Sequence, residues 1–366
     1  MTMNVINFTN RGRIMVESNS VLQVQGAYGA ILSFQDGTVF GEAGVTRFLA
    51  SAPSGASLDF SGTVMVNGTV ELAGASAGGN SAWTGPGSLQ WRSGSLAGFT
   101  FMSGFHAEML TSGAKGFCGA CTNQGTLRWT GDGALAAPCG ATFNNSGLFG
   151  IETNGAWDSS IVFNNLPGGA LRQTSGQFSL GTLNNAGFVE VDSGFLNVGS
   201  NFSSTANSTL FLPLGGYSAG TGFGRLSAQS LAPGGLLSVS LTNGFAPTNG
   251  SSFSVATSAL ETGQFSSALL PSLASNLTWR VSYASNGVTL KVVSPTMLTG
   301  ARQGSNGSFR FTLAGSPGSS YVIQASTDLV QWATVETNAL FSGTLTFTDT
   351  NANSFTRRFY RARILD

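Results

Sequence analysis

The chain has 366 residues, balances 16 Lys and Arg against 16 Asp and Glu, and charges only 9% of its positions, against about 25% in ordinary soluble domains. No basic stripe exists to neutralise phosphates, which excludes nucleic-acid binding, and no apolar run reaches the roughly 18–20 residues of a membrane helix. A 41% hydrophobic content with 27 Phe excludes disorder, and 51 Gly among abundant Ser, Thr and Asn fit short strands joined by tight turns.

Residues 1–75 read as a degenerate repeat. Phe8-Thr9-Asn10-Arg11-Gly12 forms a turn followed by Ile14 and Val16 on one face, and Val64, Val66, Val70 and Leu72 alternate around Asn67-Gly68. Residues 76–120 are rich in Gly and Ser, with Trp and Phe scattered among them, and read as coils with longer loops.

From Cys121 to Val198 the repeat is plain. Its turns are Thr122-Asn123-Gln124-Gly125, Asn144-Asn145-Ser146-Gly147, Asn164-Asn165-Leu166-Pro167-Gly168-Gly169 and Asn184-Asn185-Ala186-Gly187. The second Asn recurs at 123, 145, 165 and 185, spacings of 22, 20 and 20. A fixed period near 20 without helical patterning predicts a β-solenoid, one coil per repeat. Counted from Gly125, Gly147, Gly169 and Gly187, positions +2 and +4 are Leu127/Trp129, Phe149/Ile151, Leu171/Gln173 and Val189/Val191, and are expected to point inward. Glu152, Asp192, Arg128 and Arg172 fall on the outward set. Arg172 and Glu190 are expected to be surface neighbours, and the repeated Asn residues to form an amide ladder.

The repeat ends around 201–215. Beyond it, Leu236–Leu241 and Ser252–Val255 flank Asn243-Gly244, and Leu277–Val281 and Val288–Val292 flank Asn286-Gly287. Asn-Gly between alternating runs predicts hairpins, here a β-rich cap over the open end of the solenoid. Pro295 and Gly300–Gly307 read as a linker, and four or five strands in 308–366 as a small β-sandwich. The expected domains are therefore 1–210, 211–295 and 296–366.

The Asn-Asn-x-Gly turns with their aromatic or Val-rich strands (Phe143–Ile151, Leu183–Val191) resemble exported bacterial repeat proteins related to autotransporter passenger domains. Gly216–Val293 resembles the module that commonly follows such repeats. Tyr321–Leu329, Trp332 and Arg358–Arg361 resemble a C-terminal β-sandwich module of verrucomicrobial-type secreted proteins. The resemblance covers residues 120–366 and implies a right-handed parallel β-helix outside the cell, with no specific activity. Met1-Thr2-Met3-Asn4 does not open a signal peptide, so an export signal is expected upstream of residue 1.

Cys118 and Cys139 lie 21 residues apart, about one coil, and stacked Cα atoms fall within disulfide range. A Cys118–Cys139 or Cys121–Cys139 bridge is the leading expectation; a Cys3His zinc site with His106 and three free thiols are the alternatives. Gly74-Ala75-Ser76-Ala77-Gly78 matches a nucleophile elbow by composition, with His106 the only base available to Ser76. Glu152 and Asp192, two coils apart, are a candidate carboxylate pair at roughly 10 Å, near inverting-glycosidase separation. Arg128 and Arg172 could hold a uronate. Trp83 and Trp91 are sugar platforms if exposed and core if not. No cofactor or metal is expected. The sequence favours a non-enzymatic extracellular or cell-surface structural or adhesive protein, with polysaccharide or cell-surface glycans as the candidate partner; a polysaccharide-active β-helix hydrolase, lyase or esterase is the second reading, and a carbohydrate-binding module assembly without chemistry the third.

Overall fold

The computed structural model describes residues 2–50, 57–274, 276–339 and 342–365. Two compact units emerge: Met1–Phe245 with Ser254–Pro271 and Tyr283–Thr289, and Ala246–Phe253 with Ser272–Ser282 and Leu290–Asp366. The first is a parallel β-solenoid. Each coil contributes three short strands, and each strand pairs with its counterpart one coil on. One column runs Thr126–Trp129, Leu148–Ile151, Ala170–Gln173, Phe188–Val191. The second runs Ala141–Asn145, Val162–Asn165, Thr182–Asn185, and the third Ala134–Ala136, Gly155–Trp157, Gln177–Leu180. The N-terminal third obeys the same rule, as Thr38–Gly41, Gly62–Val66 and Ser81–Thr84 stack in parallel.

Strand alternation sorts side chains as expected: Leu127, Trp129, Phe149, Ile151, Leu171, Gln173, Val189 and Val191 are all 0% exposed. The interior is a continuous aromatic stack. Phe117 and Phe143 lie with centroids 5.4 Å apart and 14° between planes, and Trp157 packs 5.1 Å from Phe143 and 5.3 Å from Phe149.

The Asn ladder is present. Asn123 donates to Asn145 Oδ1 at 2.8 Å, Asn145 to Asn165 at 2.9 Å and Asn165 to Asn185 at 2.8 Å. Each amide also reaches a carbonyl on the next coil: Leu148 O at 3.0 Å, Ala170 O at 3.1 Å and Phe188 O at 2.9 Å. Each buried amide thereby has both a side-chain and a main-chain partner on the next coil. A second ladder, Asn144–Asn164–Asn184–Ser203, runs along the outer side of the same strands.

The turn glycines serve a purpose other than the left-handed backbone that the composition suggests. Gly125, Gly147, Gly169 and Gly187 do not have positive φ. A Cβ on each would instead lie 2.1–2.3 Å from a carbonyl oxygen of the preceding coil. Close approach of stacked corners is what requires glycine there.

Two sequence expectations give way in the C-terminal half. Leu236–Leu241 and Ser252–Glu261 do not form a hairpin with each other. The first pairs in parallel with Thr209–Leu214 and Ser267–Leu269, the second with Arg225–Ala232. Asn243 and Gly244 do take positive φ, but the chain turns a coil corner there and does not reverse. Parallel pairing thus continues beyond residue 210. The expected linker is also absent as such. Met297–Gln303 is a strand antiparallel to Phe309–Ala314, and the register shift between Thr299 and Arg302 contains Gly300 at φ 61°. Glycine there marks a bulge.

In the second unit, two three-stranded antiparallel sheets face each other. Phe311, Leu313 and Phe347 of one and Tyr321 and Ile323 of the other form the core. Among the described residues no helix is long and apolar enough to cross a membrane.

Cys118 and Cys139 form the disulfide, with Cα atoms 5.4 Å apart, and Cys121 is a free buried thiol. Burial pushes the Cys121 thiol up to about 12, so it stays protonated and inert. The Cys3His arrangement falls with the bridge, and among the described residues no other group of three metal-ligating side chains gathers. Closing a 21-residue separation constrains the unfolded chain by about 3 kcal/mol. Cys139 is exposed, so dithiothreitol should reach it and lower the urea midpoint accordingly. An unchanged midpoint after full reduction would show that the bridge contributes nothing.

Candidate functional site

One face of the solenoid carries a row of six charged side chains. Parallel register aligns Arg47, Glu71, Gln90, Glu108, Arg128, Gly150, Arg172, Glu190 and Phe211 in one outward row. Strand spacing of about 4.8 Å lets neighbouring signs meet. Arg47 and Arg92 both contact Glu71, at 2.9 and 3.0 Å, and Glu71 is 3% exposed. Two guanidiniums compensate one buried carboxylate. Arg172 pairs with Glu190 at 3.3 Å, as the repeat register predicted.

Glu152 is not free to act with Asp192. Its two carboxylate oxygens accept from Arg128 Nε and Nη2, both at 2.8 Å. The bond and charge of Glu152 raise the Arg128 pKa above its ordinary value. Thr174 occupies the rung between Glu152 and Asp192, since successive backbone bonds run Glu152 N–H to Trp129 O, Thr174 N–H to Ile151 O and Asp192 N–H to Gln173 O. The two carboxylates are two rungs apart, with one already clamped by a guanidinium on the coil before.

Trp83 and Trp91 are 0% exposed and are core residues, which removes them as sugar platforms. Trp83 aligns with Val64 and Phe101 and donates to Ser81 Oγ at 2.9 Å. Trp91 donates to Gly94 O at 3.1 Å. Ser76 lies exposed within the strand Thr69–Gly78, so no strand-to-helix elbow surrounds it. The register places His106 beside Ser88 and Thr126 and puts Ser95 beside Ser76. Ser76 and His106 therefore stand in different rows.

The structure gathers a different set around Arg172. A cleft of about 690 Å³ opens at the corner carrying Pro167 and Gly168, where five steps from Asn165 to Ala170 face three on each neighbouring coil, two extra residues. Arg172, Phe188, Thr205, Asn207 and Thr209 line it. Phe188 and Phe211 stack on the outer surface, centroids 5.9 Å apart and 29° between planes, and the Arg172 guanidinium sits 5.7 Å from the Phe188 centroid. Glu190, its side chain 18% exposed, stands beside Arg172. Burial raises the Glu190 pKa; Arg172 pulls it back and Asp192 pushes it further up. Phe188, Phe211 and Glu190 were not singled out from sequence as a site. The available signal was that Phe188, directly after Gly187, falls on the outward set.

No protein-family model matches this chain, and no curated protein matches it.

Proposed function

We propose that this is an extracellular β-solenoid protein that binds polysaccharide through the cleft lined by Arg172 and Phe188, with Phe211 stacked beside Phe188. The observation that carries the reading is an outward aromatic pair beside a half-exposed arginine. Aromatic faces pack against the C–H face of a sugar ring. A guanidinium forms paired, charge-assisted bonds to a carboxylate. Thr205, Asn207 and Thr209 supply neutral hydrogen-bonding groups. A uronic-acid polymer fits this combination. The cleft volume lies within the roughly 300–1,000 Å³ range of small-ligand sites. The stacked coils and buried ladders support a rigid structural or adhesive role, and an exposed disulfide supports an oxidising compartment.

Affinity electrophoresis in gels containing polygalacturonate tests this. Wild-type protein should be retarded, with no retardation in dextran. Arg172→Ala and Phe188→Ala should each weaken binding about tenfold, the equivalent of about 1.4 kcal/mol. An unretarded wild type would reject the reading. One arrangement favours a second, catalytic reading: Glu190 and Asp192 share a face with Arg172, and burial raises the Glu190 pKa. That reading requires release of reducing ends or unsaturated products; binding without either leaves the first.

A further inference from the structure

We propose that the C-terminal unit carries a second, independent site, which takes an anionic sugar bearing a uronate or a sulfate ester. This goes beyond the solenoid cleft and does not depend on it. The unit Ala246–Phe253, Ser272–Ser282 and Leu290–Asp366 holds eight Arg and Lys against four Asp and Glu, while the chain as a whole is neutral. Its excess of four positive charges is therefore offset entirely in the solenoid unit.

Within the unit a cleft of about 400 Å³ lies between Trp332 and Phe355, with Ser326, Thr327, Gln331 and Arg358 along it. A smaller cleft of about 180 Å³ shares Phe355 and Arg358 and adds Arg357. Among the described residues, no Asp or Glu lines either one. Both aromatic rings carry a guanidinium. Arg358 lies 4.1 Å from the Phe355 centroid, and Arg361 lies 4.2 Å from Trp332. Such stacking holds ring and cation in fixed relation.

The two guanidiniums differ in what they can offer. Arg358 contacts Asp349 at 2.8 Å, and Tyr360 donates to the same carboxylate at 2.9 Å. Arg358 is thus a neutralised support for Phe355. Arg361 bonds the neutral Gln324 at 2.8 Å, and among the described residues neither it nor Arg357 has a carboxylate partner. Arg357 lines the smaller cleft and remains for a ligand's anion, while Arg361 lines neither cleft and backs the Trp332 ring.

The wall that holds Trp332 is preorganised. Asp328 Oδ1 accepts from Val330 N–H at 2.9 Å, Gln331 N–H at 2.8 Å and Ser326 Oγ at 2.9 Å. Trp332 Nε1 donates to Leu329 O at 3.0 Å, and Leu329 itself is held at φ 62°. A rigid loop presenting an indole, with the uncompensated Arg357 guanidinium on the adjoining cleft, suits a sugar ring with an anionic substituent. Uronate and sulfate share that chemistry, and the test separates them.

The test uses the full chain with Arg172→Ala and Phe188→Ala, which disables the solenoid cleft. Intrinsic tryptophan fluorescence is titrated with heparin, polygalacturonate and dextran, and near-UV circular dichroism confirms folding of each variant. Heparin or polygalacturonate, or both, should still bind in a salt-sensitive manner, and whichever binds identifies the anion. Adding Trp332→Phe should remove the fluorescence change, and adding Arg357→Glu should weaken binding about tenfold or more. Absence of binding by both anionic polymers would overturn the proposal. So would equal binding of dextran, or indifference to both added substitutions.

Discussion

Asn145→Leu should lower the unfolding free energy by about 3 kcal/mol, read as a fall in the urea midpoint. Asn145 is 0% exposed and stands mid-ladder. Its removal takes the donor from Asn165 Oδ1 and Ala170 O and the acceptor from Asn123 Nδ2. Each buried group left unpaired costs about 1–3 kcal/mol, and Asn123 retains its bond to Leu148 O. The outer ladder supplies the control. Asn144 is half-buried and bonds Asn164 at 2.9 Å, where water can replace the lost partner. Asn144→Ala should therefore cost less than about 1 kcal/mol. Equal costs at the two positions would mean that the inner amides are merely tolerated.

Gly147→Ala is expected to be at least as damaging, for a steric reason. The added Cβ would lie 2.1 Å from Gly125 O and 2.6 Å from Gln124 C, both backbone atoms that no rotamer change can move. One coil must lift from the next, breaking the Asn123–Asn145 bond and opening voids in the aromatic stack. Overpacking of that kind costs about 1–3 kcal/mol, and the lost hydrogen bond adds to it. Gly150→Ala tests the specificity. Its Cβ would meet nothing closer than Arg128 Cγ at 3.9 Å, and Gly150 does not have positive φ. That substitution should be neutral or stabilise by up to about 1 kcal/mol through the unfolded chain. If both alanines behave alike in chemical denaturation, the corner glycines are not there for close approach.

The architecture was legible where period and alternation coincide. Between Asn123 and Val191 the spacing of Asn residues set the register, and the register alone predicted the ladder, the inward set and the Arg172–Glu190 pair. The hairpin reading of Leu236–Val255 failed because Asn-Gly serves equally at a coil corner and at a reversal. Alternating flanks do not tell parallel from antiparallel pairing. Trp83 and Trp91 looked loop-borne because Gly and Ser surround them. Their burial follows from alignment with neighbouring coils, Val64 beside Trp83 and Leu72 beside Trp91, and the unequal coil lengths there hide that alignment. The cleft was hidden for the same reason. Phe188 and Phe211 meet across a coil of 21 residues, and the bulge at Pro167–Gly168 registers in the sequence only as two extra residues in one turn.

An experimental structure of the protein with a uronic-acid trisaccharide bound tests the functional account most directly. A sugar ring should lie over Phe188 and Phe211 with its carboxylate on the Arg172 guanidinium. A well-occupied saccharide held elsewhere on the solenoid, with that cleft empty, would contradict it.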